Sequence, residues 1–263
     1  MKKRKRRKRT KTITVGSMLS TVILIVSFAV FVFAAYKLYL IFHEYNKGDN
    51  SYEKVREYIR DTEADADDMD DFYVDFDSLL KQNSDLIAWI RIDGTINISY
   101  PVMQSEDNDF YLRRLFDKSH NILGSIFMDF NCSSDLTDEN TIIYGHNTKN
   151  GSMFGGLKKW KEKDEYDDNP YFYIYTPDGM SHQYQVCSVT ITEAESLDYQ
   201  IGFEDTEEFL EWESEILGKS LYDTGVELDE NSKIVTLSTC TNRTAEERLV
   251  VQGVEIKTRE CAK

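Results

Sequence analysis

Residues 233–240, KIVTLSTC, form a short apolar stretch that ends on a cysteine. Its Ile, Val and Thr side chains favour a β-strand. The chain turns polar immediately after Cys240, in TNRTAEE, and then continues as a second apolar stretch, ERLVVQGVEIK, at residues 247–257. We therefore predict two closing strands, with the thiol of Cys240 at the rim of the sheet. A buried structural cysteine is the ordinary alternative, and the polar residues that follow Cys240 weigh against it.

Similar strand patterns recur upstream of this segment. LIAWIRIDG (86–94) and INISYPVMQ (96–104) flank an Asp93-Gly94 turn, and residues 171–192 predict a hairpin around Pro177-Asp178-Gly179. SIFMDF (125–130) and TIIYGH (141–146) are shorter strands, and we expect helices at 75–83, Phe154–Trp160 and Glu207–Gly218. About eight strands with inserted helices predict a mainly β fold, an eight-stranded barrel that is closed or nearly closed.

The N-terminal residues have the composition of a membrane anchor. Residues 1–11 hold nine Lys or Arg and no acid, and the 25 residues from Thr12 to Tyr36 carry no charge. A helix needs about 20 apolar residues to cross a bilayer, whereas the apolar region of a signal peptide has about 7–15. Ala34-Ala35 is a weak match to a cleavage site, so a cleaved signal peptide is the alternative. Because Lys and Arg stay in the cytoplasm, we expect a single-pass cell-membrane protein with an extracellular body.

These patterns divide the chain into five parts. We predict a basic cytoplasmic tail at 1–11, a transmembrane anchor at 12–42, an acidic extracellular spacer at 43–75, a barrel domain at 76–258 and a C-terminal tail at 259–263. Within the spacer, SYEKVREYIRD (51–61) has the period of a short amphipathic helix. The acidic run that follows it is interpreted as solvated chain.

Charge and cysteine spacing exclude several classes of function. The net charge is −16 although the N-terminal tail is basic, so the body is strongly acidic and nucleic acid is not expected as a partner. The sequence has no CxxC or HxxxH pair and no glycine-rich phosphate loop, and we predict no metal and no cofactor. Four cysteines could form two disulfide bridges outside the cell, although a domain of this size does not need them. Cys187 is interpreted as a core residue and Cys132 stays undecided.

A nucleophilic cysteine at a strand end needs a neighbouring base or cation. His146 meets this need best, because it ends the strand TIIYGH and therefore lies on a rigid element at a rim. His43, His120 and His182 are interpreted as surface residues. Arg248 opens the strand RLVV eight residues after Cys240.

These residues match a known family. TLSTC around Cys240, YGHNTKNGSMFGGL around His146 and ERLVV around Arg248 resemble the sortases, and class B sortases in particular, as do YPVMQSEDNDFYL, GSIFMDF and the helix Glu207–Gly218. The resemblance covers roughly residues 76–256 together with the basic tail and the anchor. It implies a cysteine transpeptidase that cleaves the C-terminal sorting signal of secreted proteins after a threonine. The acyl group then passes to a peptidoglycan amine in the cell wall of a Gram-positive bacterium.

The resemblance also assigns roles to residues. Cys240 is expected to be the nucleophile, His146 the proton donor and acceptor, and Arg248 the group that stabilises the oxyanion, with Arg243 as a rival arginine. A set of secondary candidates is expected to bind or orient the substrate: Asn108, Ser238, Thr239 and Asn242. Asn242 stands where class B members usually carry an acid.

Two other functions stay open at the level of sequence. The same residues could serve a pilin-polymerising enzyme whose acceptor is a lysine. The fold could also be that of an inactive membrane-tethered binding domain, against which the presence of Cys240, His146 and Arg248 argues.

Overall fold

A computed structural model describes residues 15–61, 72–241 and 243–261 and divides the chain into two units, 1–44 and 45–263. The first helix, α1 (Val15–Arg56), contains a stretch that is long and apolar enough to cross a membrane. Its apolar side chains in the first unit, from Met18 to Phe42, are exposed, as expected of a helix surface that suits lipid. The basic tail at 1–11 and the acidic run at 62–71 lie outside the described residues.

The segment expected to be a separate short helix at 51–61 differs from the prediction. Residues 51–56 are the last turns of α1, while β1 (Ile59–Asp61) is a strand that pairs with β2 (Phe72–Val74). Tyr52 and Val55, assigned to the spacer, are buried against the barrel residues of the second unit. The predicted helical period correctly placed these two side chains on one buried helix face. Ile59, which the same period assigned to the helix, instead pairs with Val74 in a strand.

The second unit contains the barrel and its short helices. After α2 (Phe76–Gln82), capped by the side chain of Asp75, come β3 (Leu86–Ile92), β4 (Ile98–Met103), β5 (Ile126–Met128), β6 (Asn140–Tyr144), α3 (Lys163–Asp168), β7 (Tyr171–Tyr175), β8 (Met180–Glu193), α4 (Thr206–Gly218), β9 (Ile234–Cys240) and β10 (Glu247–Glu260). Three 3₁₀ helices lie between these elements, at Phe110–Arg113, Phe154–Lys161 and Leu197–Tyr199.

The barrel is closed by eight strands in the order β10-β8-β7-β3-β4-β5-β6-β9, which confirms the predicted fold. Neighbouring strands are antiparallel except for β4 with β5 and β6 with β9, which are parallel. The interior is filled by fully buried large side chains such as Trp89, Trp160 and Tyr184. Closure leaves each of the eight barrel strands paired on both sides, so the barrel supplies a rigid frame for side chains at its rim.

Helix α4 packs outside the barrel over a second, smaller apolar cluster. Phe209, Trp212 and Ile216 contact Cys187 and Ile234 there. Cys187 is 1% exposed, in agreement with its prediction as a core residue, and all four cysteines are free thiols.

Candidate active site

Strand direction brings the three main candidate residues to one edge of the barrel. Strands β6 and β9 are parallel, so their C-terminal ends lie side by side, and Tyr144 pairs with Ser238. His146 and Cys240 are each two residues beyond that pair. Strand β10 runs antiparallel to β9 and therefore begins at the same edge, where Arg248 is the direct partner of Cys240.

The pairing of Cys240 with Arg248 fixes where their side chains point. Residues directly opposite in an antiparallel pair project from the same face, with Cβ atoms about 4.5–5.5 Å apart. Nη1 of Arg248 donates to the carbonyl oxygens of Ala245 at 2.7 Å and Glu247 at 3.2 Å, which ties the guanidinium to the β9–β10 connection. Within the part of the chain that the structure describes, neither Nε nor Nη2 of Arg248 has an acceptor. The guanidinium therefore keeps donors for a further group beside the thiol.

The imidazole of His146 is held by a backbone carbonyl. Its Nε2 lies 2.7 Å from the carbonyl oxygen of Leu112, in the 3₁₀ helix Phe110–Arg113. A carbonyl oxygen can only accept, so Nε2 carries a proton and Nδ1 is the nitrogen left to exchange one. The carbonyl thus fixes the tautomer and the ring, as a carboxylate does in many catalytic triads.

Gly124 allows this close approach. Its φ of +62° is left-handed, and a Cβ there would lie 2.6 Å from the Leu112 oxygen and 3.0 Å from Cδ2 of His146. A side chain at this position would therefore push against both partners of the hydrogen bond.

The loop that follows β6 is tied to the nucleophile strand. Nδ2 of Asn147 donates to the carbonyl oxygen of Cys240 at 2.6 Å, and the backbone N–H of Phe154 donates to the carbonyl of His146 at 3.1 Å. The loop that follows His146 is thus linked to the backbone of Cys240 by a side-chain contact as well as through the barrel.

A cavity of about 300 Å³ lies at this edge. It is lined by residues of β5, β6, β9, β10 and their connections: Asn108, Asp109, Leu112, Phe127, Tyr144, Gly145, His146, Ala194, Tyr199, Ser238, Thr239, Cys240 and Arg248. All three main candidates and three of the four secondary ones therefore meet in one cavity. Asn242 lies outside the described residues. The rival Arg243 is 72% exposed, is not part of the lining and pairs with Glu247 at 3.7 Å.

The secondary candidates are held by neighbours that sequence reasoning missed. Nδ2 of Asn108 donates to Oδ2 of Asp129 at 2.8 Å, and the hydroxyls of Ser238 and Tyr199 are hydrogen-bonded at 2.7 Å. The Oγ1 of Thr239 is buried and has no partner among the residues that the structure describes. GSIFMDF is typical of the family as a segment, but nothing in its pattern marks Asp129 for a role.

Aromatic rings form the apolar part of the cavity wall. Tyr144 stacks on Tyr199 with ring centroids 6.2 Å apart and contacts Phe127 at 5.4 Å. Burial raises the pKa of Tyr199 to about 12, although the hydrogen bond to Ser238 and the charge of Arg248 act in the opposite direction. Tyr199 is therefore a neutral phenol at physiological pH. The wall therefore combines flat apolar faces with hydroxyl groups.

Comparison with known proteins places these residues in a family. The family model described as "Sortase domain" matches residues 90–256. Sortase B of Listeria monocytogenes is 30% identical over 91% of this chain and 97% of its own length. Among solved structures, sortase B of Bacillus anthracis superposes with a TM-score of 0.69 at 30% identity, covering 82% of this chain and 100% of that one. A Staphylococcus aureus sortase B–substrate complex superposes with a TM-score of 0.65 at 32% identity, covering 69% of this chain and 84% of that one.

Proposed function

This chain belongs to the sortase family, in its class B, and is therefore a cysteine transpeptidase; from this premise we propose that it joins secreted proteins to a cell-wall amine. The substrate is a C-terminal sorting signal that is cleaved after a threonine. The acceptor is an amine of a peptidoglycan precursor or cross-bridge. Cys240, His146 and Arg248 perform the reaction.

In the first half-reaction the thiolate of Cys240 attacks the threonine carbonyl carbon. The carbonyl oxygen becomes an oxyanion, which the free donors of Arg248 stabilise, because a guanidinium stays charged and holds its donors in a fixed fork. The carbon–nitrogen bond then breaks, and the leaving amine takes a proton from His146. The product is a thioester on Cys240.

In the second half-reaction the acceptor amine attacks the thioester carbonyl. His146 takes the proton from this amine, the carbon–sulfur bond breaks, and the Cys240 thiolate is released. A new amide bond joins the secreted protein to the acceptor. Because Leu112 holds Nε2, Nδ1 of His146 handles the proton in both halves.

One observation carries the proposal: parallel β6 and β9 and antiparallel β10 bring a thiol, an imidazole and a guanidinium to one cavity. Support for a peptide substrate comes from the S. aureus relative, whose structure contains a substrate. The secondary candidates Asn108, Ser238 and Thr239 are proposed to contact the peptide, since they line the same cavity.

The test uses the full chain in detergent with a library of threonine-containing peptides and several amine acceptors. Mass spectrometry should detect an acyl group on Cys240 after the peptide is added, and an amide with the acceptor once an amine is present. Cys240→Ala should form neither product. Acylation of another cysteine, or turnover by Cys240→Ala, would contradict the proposal. A preference for lysine over peptidoglycan-type amines would assign the enzyme to pilin polymerisation.

For localisation, we propose a single-pass membrane protein with a cytoplasmic N-terminus and an extracellular barrel. The uncharged run from Thr12 to Tyr36 and the nine basic residues before it support this orientation. The spacer 43–75 and the barrel 76–258 would then lie outside. A membrane-impermeant thiol reagent added to intact cells should label Cys240, and labelling that requires lysis would contradict this orientation.

A further inference from the structure

Asp129 is a buried carboxylate immediately after β5, behind the cavity wall. It is 5% exposed and is not part of the cavity lining. A buried charge is costly unless hydrogen bonds compensate for its lost hydration. The hydrogen-bond partners of this carboxylate therefore indicate its role.

Among the residues that the structure describes, four hydrogen bonds reach the two carboxylate oxygens. Oδ2 accepts from the hydroxyl of Tyr144 at 2.9 Å and from Nδ2 of Asn108 at 2.8 Å. Oδ1 accepts from the backbone N–H and the Nδ2 of Asn131, at 2.9 and 3.0 Å. Oδ1 thus accepts from the neighbouring residue Asn131, and Oδ2 accepts from two side chains that line the cavity.

The contacts of Asn108 define the direction of its amide group. Its Oδ1 accepts from the backbone N–H of Phe130 at 3.1 Å while its Nδ2 donates to Asp129. Turning the amide over would set donor against donor at Phe130 and acceptor against acceptor at Asp129. Asp129 and the Phe130 N–H together therefore fix the orientation of the Asn108 amide at the cavity wall.

The contact with Tyr144 fixes the aromatic part of the wall. The hydroxyl of Tyr144 is anchored on Asp129 while its ring stacks on Tyr199, whose own hydroxyl is bonded to Ser238. Loss of the anchor would free the ring to rotate. The wall from Asn108 to Ser238 is thus one connected network that depends on a single carboxylate.

We propose that Asp129 is a positioning residue of the transpeptidase, which acts through Asn108 and Tyr144 to set the affinity for the sorting-signal peptide. The proposal rests on the proposed function, because it requires a peptide in this cavity. Asp129 has no described contact with Cys240, His146 or Arg248, so it affects binding common to the ground and transition states. Its loss should therefore raise KM and leave kcat nearly unchanged.

The central variant is Asp129→Asn, which keeps the shape and removes the charge. With its NH₂ group toward Asn131, the new amide meets two donors, the backbone N–H and Nδ2 of that residue. With its NH₂ group toward the cavity wall, it meets Nδ2 of Asn108 and only the hydroxyl of Tyr144 can accept from it. We expect KM to rise about tenfold to a hundredfold, the range for one hydrogen bond to a charged group, with kcat within about twofold of wild type. Tyr144→Phe and Asn108→Ala should each reproduce part of the rise in KM. Because Asp129 acts through Tyr144, adding Tyr144→Phe to Asp129→Asn should cause little further loss.

Asp138→Asn is the matched control, because Asp138 lies in the same β5–β6 connection and accepts from the backbone N–H of Ser133 at 2.6 Å, but it is not part of the cavity lining. Its KM should equal that of wild type even if its melting temperature falls. An equal rise in KM in this control, fully additive losses in the double variant, or an unchanged KM in Asp129→Asn would each overturn the proposal.

Two measurements separate this proposal from the proposed function. If wild-type protein forms no thioester on Cys240, the proposed function fails by itself. A crystal structure of Asp129→Asn tests the positioning role without any turnover. The side chains of Asn108 and Tyr144 should leave their present places, and finding both unmoved would overturn the proposal. If Asp129→Asn does not fold, the single variants of Asn108 and Tyr144 still test the affinity.

Discussion

At the scale of single residues, the two arginines near Cys240 differ in the donors that they can offer to a substrate. Arg248 lies in the cavity opposite Cys240, whereas Arg243 is exposed and pairs with Glu247. Removing one oxyanion donor from an active site raises the barrier by about 2.7–4 kcal/mol. We therefore expect Arg248→Ala to lower kcat by about a hundredfold to a thousandfold in the acyl-transfer assay.

The control for this prediction is Arg243→Ala, which should keep nearly full activity because exposed ion pairs contribute little. Arg248→Lys keeps the charge but loses the fork of donors, so most of the activity should still be lost. Near-normal turnover of Arg248→Ala would show that this arginine is not the oxyanion donor.

Gly124 is a second residue at which a substitution should affect the proposed active site. In Gly124→Ala the Cβ would meet the Leu112 oxygen that holds His146. We expect activity to fall at least about tenfold, since His146 is the proposed general acid and base and its displacement would affect both half-reactions. The left-handed backbone should also cost about 1–2 kcal/mol of stability.

A matched control separates these two effects. Gly179 has a φ of +86°, but a Cβ added there would have no atom within 4 Å. Gly179→Ala should therefore lose similar stability in thermal unfolding and keep its activity. If both alanine variants lose activity equally, backbone strain rather than displacement of His146 is responsible.

At the scale of elements, helix α4 carries a buried acid on the face that packs on the barrel. Glu213 is 2% exposed, and its Oε1 has no partner among the described residues. Burial raises its pKa from 4.5 to about 7; the hydrogen bond with Ser232 opposes this and the charge of Asp229 adds to it. The folded protein therefore binds this proton more tightly than the unfolded chain does.

The sign of the pH dependence follows from this raised pKa. The contribution of Glu213 to stability is fully present below about pH 4.5 and is lost as the pH rises through about 7. Glu213→Gln should remove this dependence and raise the melting temperature at pH 8 relative to wild type. The melting temperatures of wild type and variant at pH 5 and pH 8 measure this dependence. The control is Glu211→Gln, since Glu211 is an exposed acid on the same helix. A wild-type-like pH profile in Glu213→Gln would contradict the raised pKa.

At the scale of the whole molecule, the proposed active site can form only while the barrel is closed. The imidazole follows β6, the thiol ends β9 and the guanidinium opens β10, and β6 and β9 are neighbours only through a parallel pairing between distant segments. A cavity assembled in this way cannot survive the separation of β6 from β9.

We therefore expect loss of activity and loss of barrel structure to coincide in urea. Near-UV circular dichroism of the buried aromatic residues and the residual rate of Cys240 acylation should give the same midpoint, as for a two-state transition. The full chain in detergent is the sample, and Arg243→Ala serves as a reference with an unaltered cavity. An activity midpoint well below the spectroscopic one would mean that the site opens before the barrel.

Much of this architecture could be predicted from the amino-acid sequence. Alternating apolar residues predicted the strands, the Pro177-Asp178-Gly179 turn predicted the β7–β8 hairpin, and the period of Glu207–Gly218 predicted α4, because each of these signals is local. The family signatures in TLSTC, YGH and ERLVV also gave the three main candidate residues, which meet in one cavity.

Other features were set by contacts between distant segments. Ile59 lies in a strand and not in a helix because it pairs with the strand at 72–74. The roles inferred for Leu112 and Asp129 likewise depend on which groups surround them. The residue type of Leu112 does not show that its backbone carbonyl holds an imidazole, because every residue has such a carbonyl. A buried aspartate likewise looks the same in a sequence as an exposed one. Residue type and spacing thus determined the anchor-like run, the strands and the reacting groups, whereas only the closed barrel decided their neighbours, because hydrogen bonds and burial depend on distances that the chain acquires when it folds.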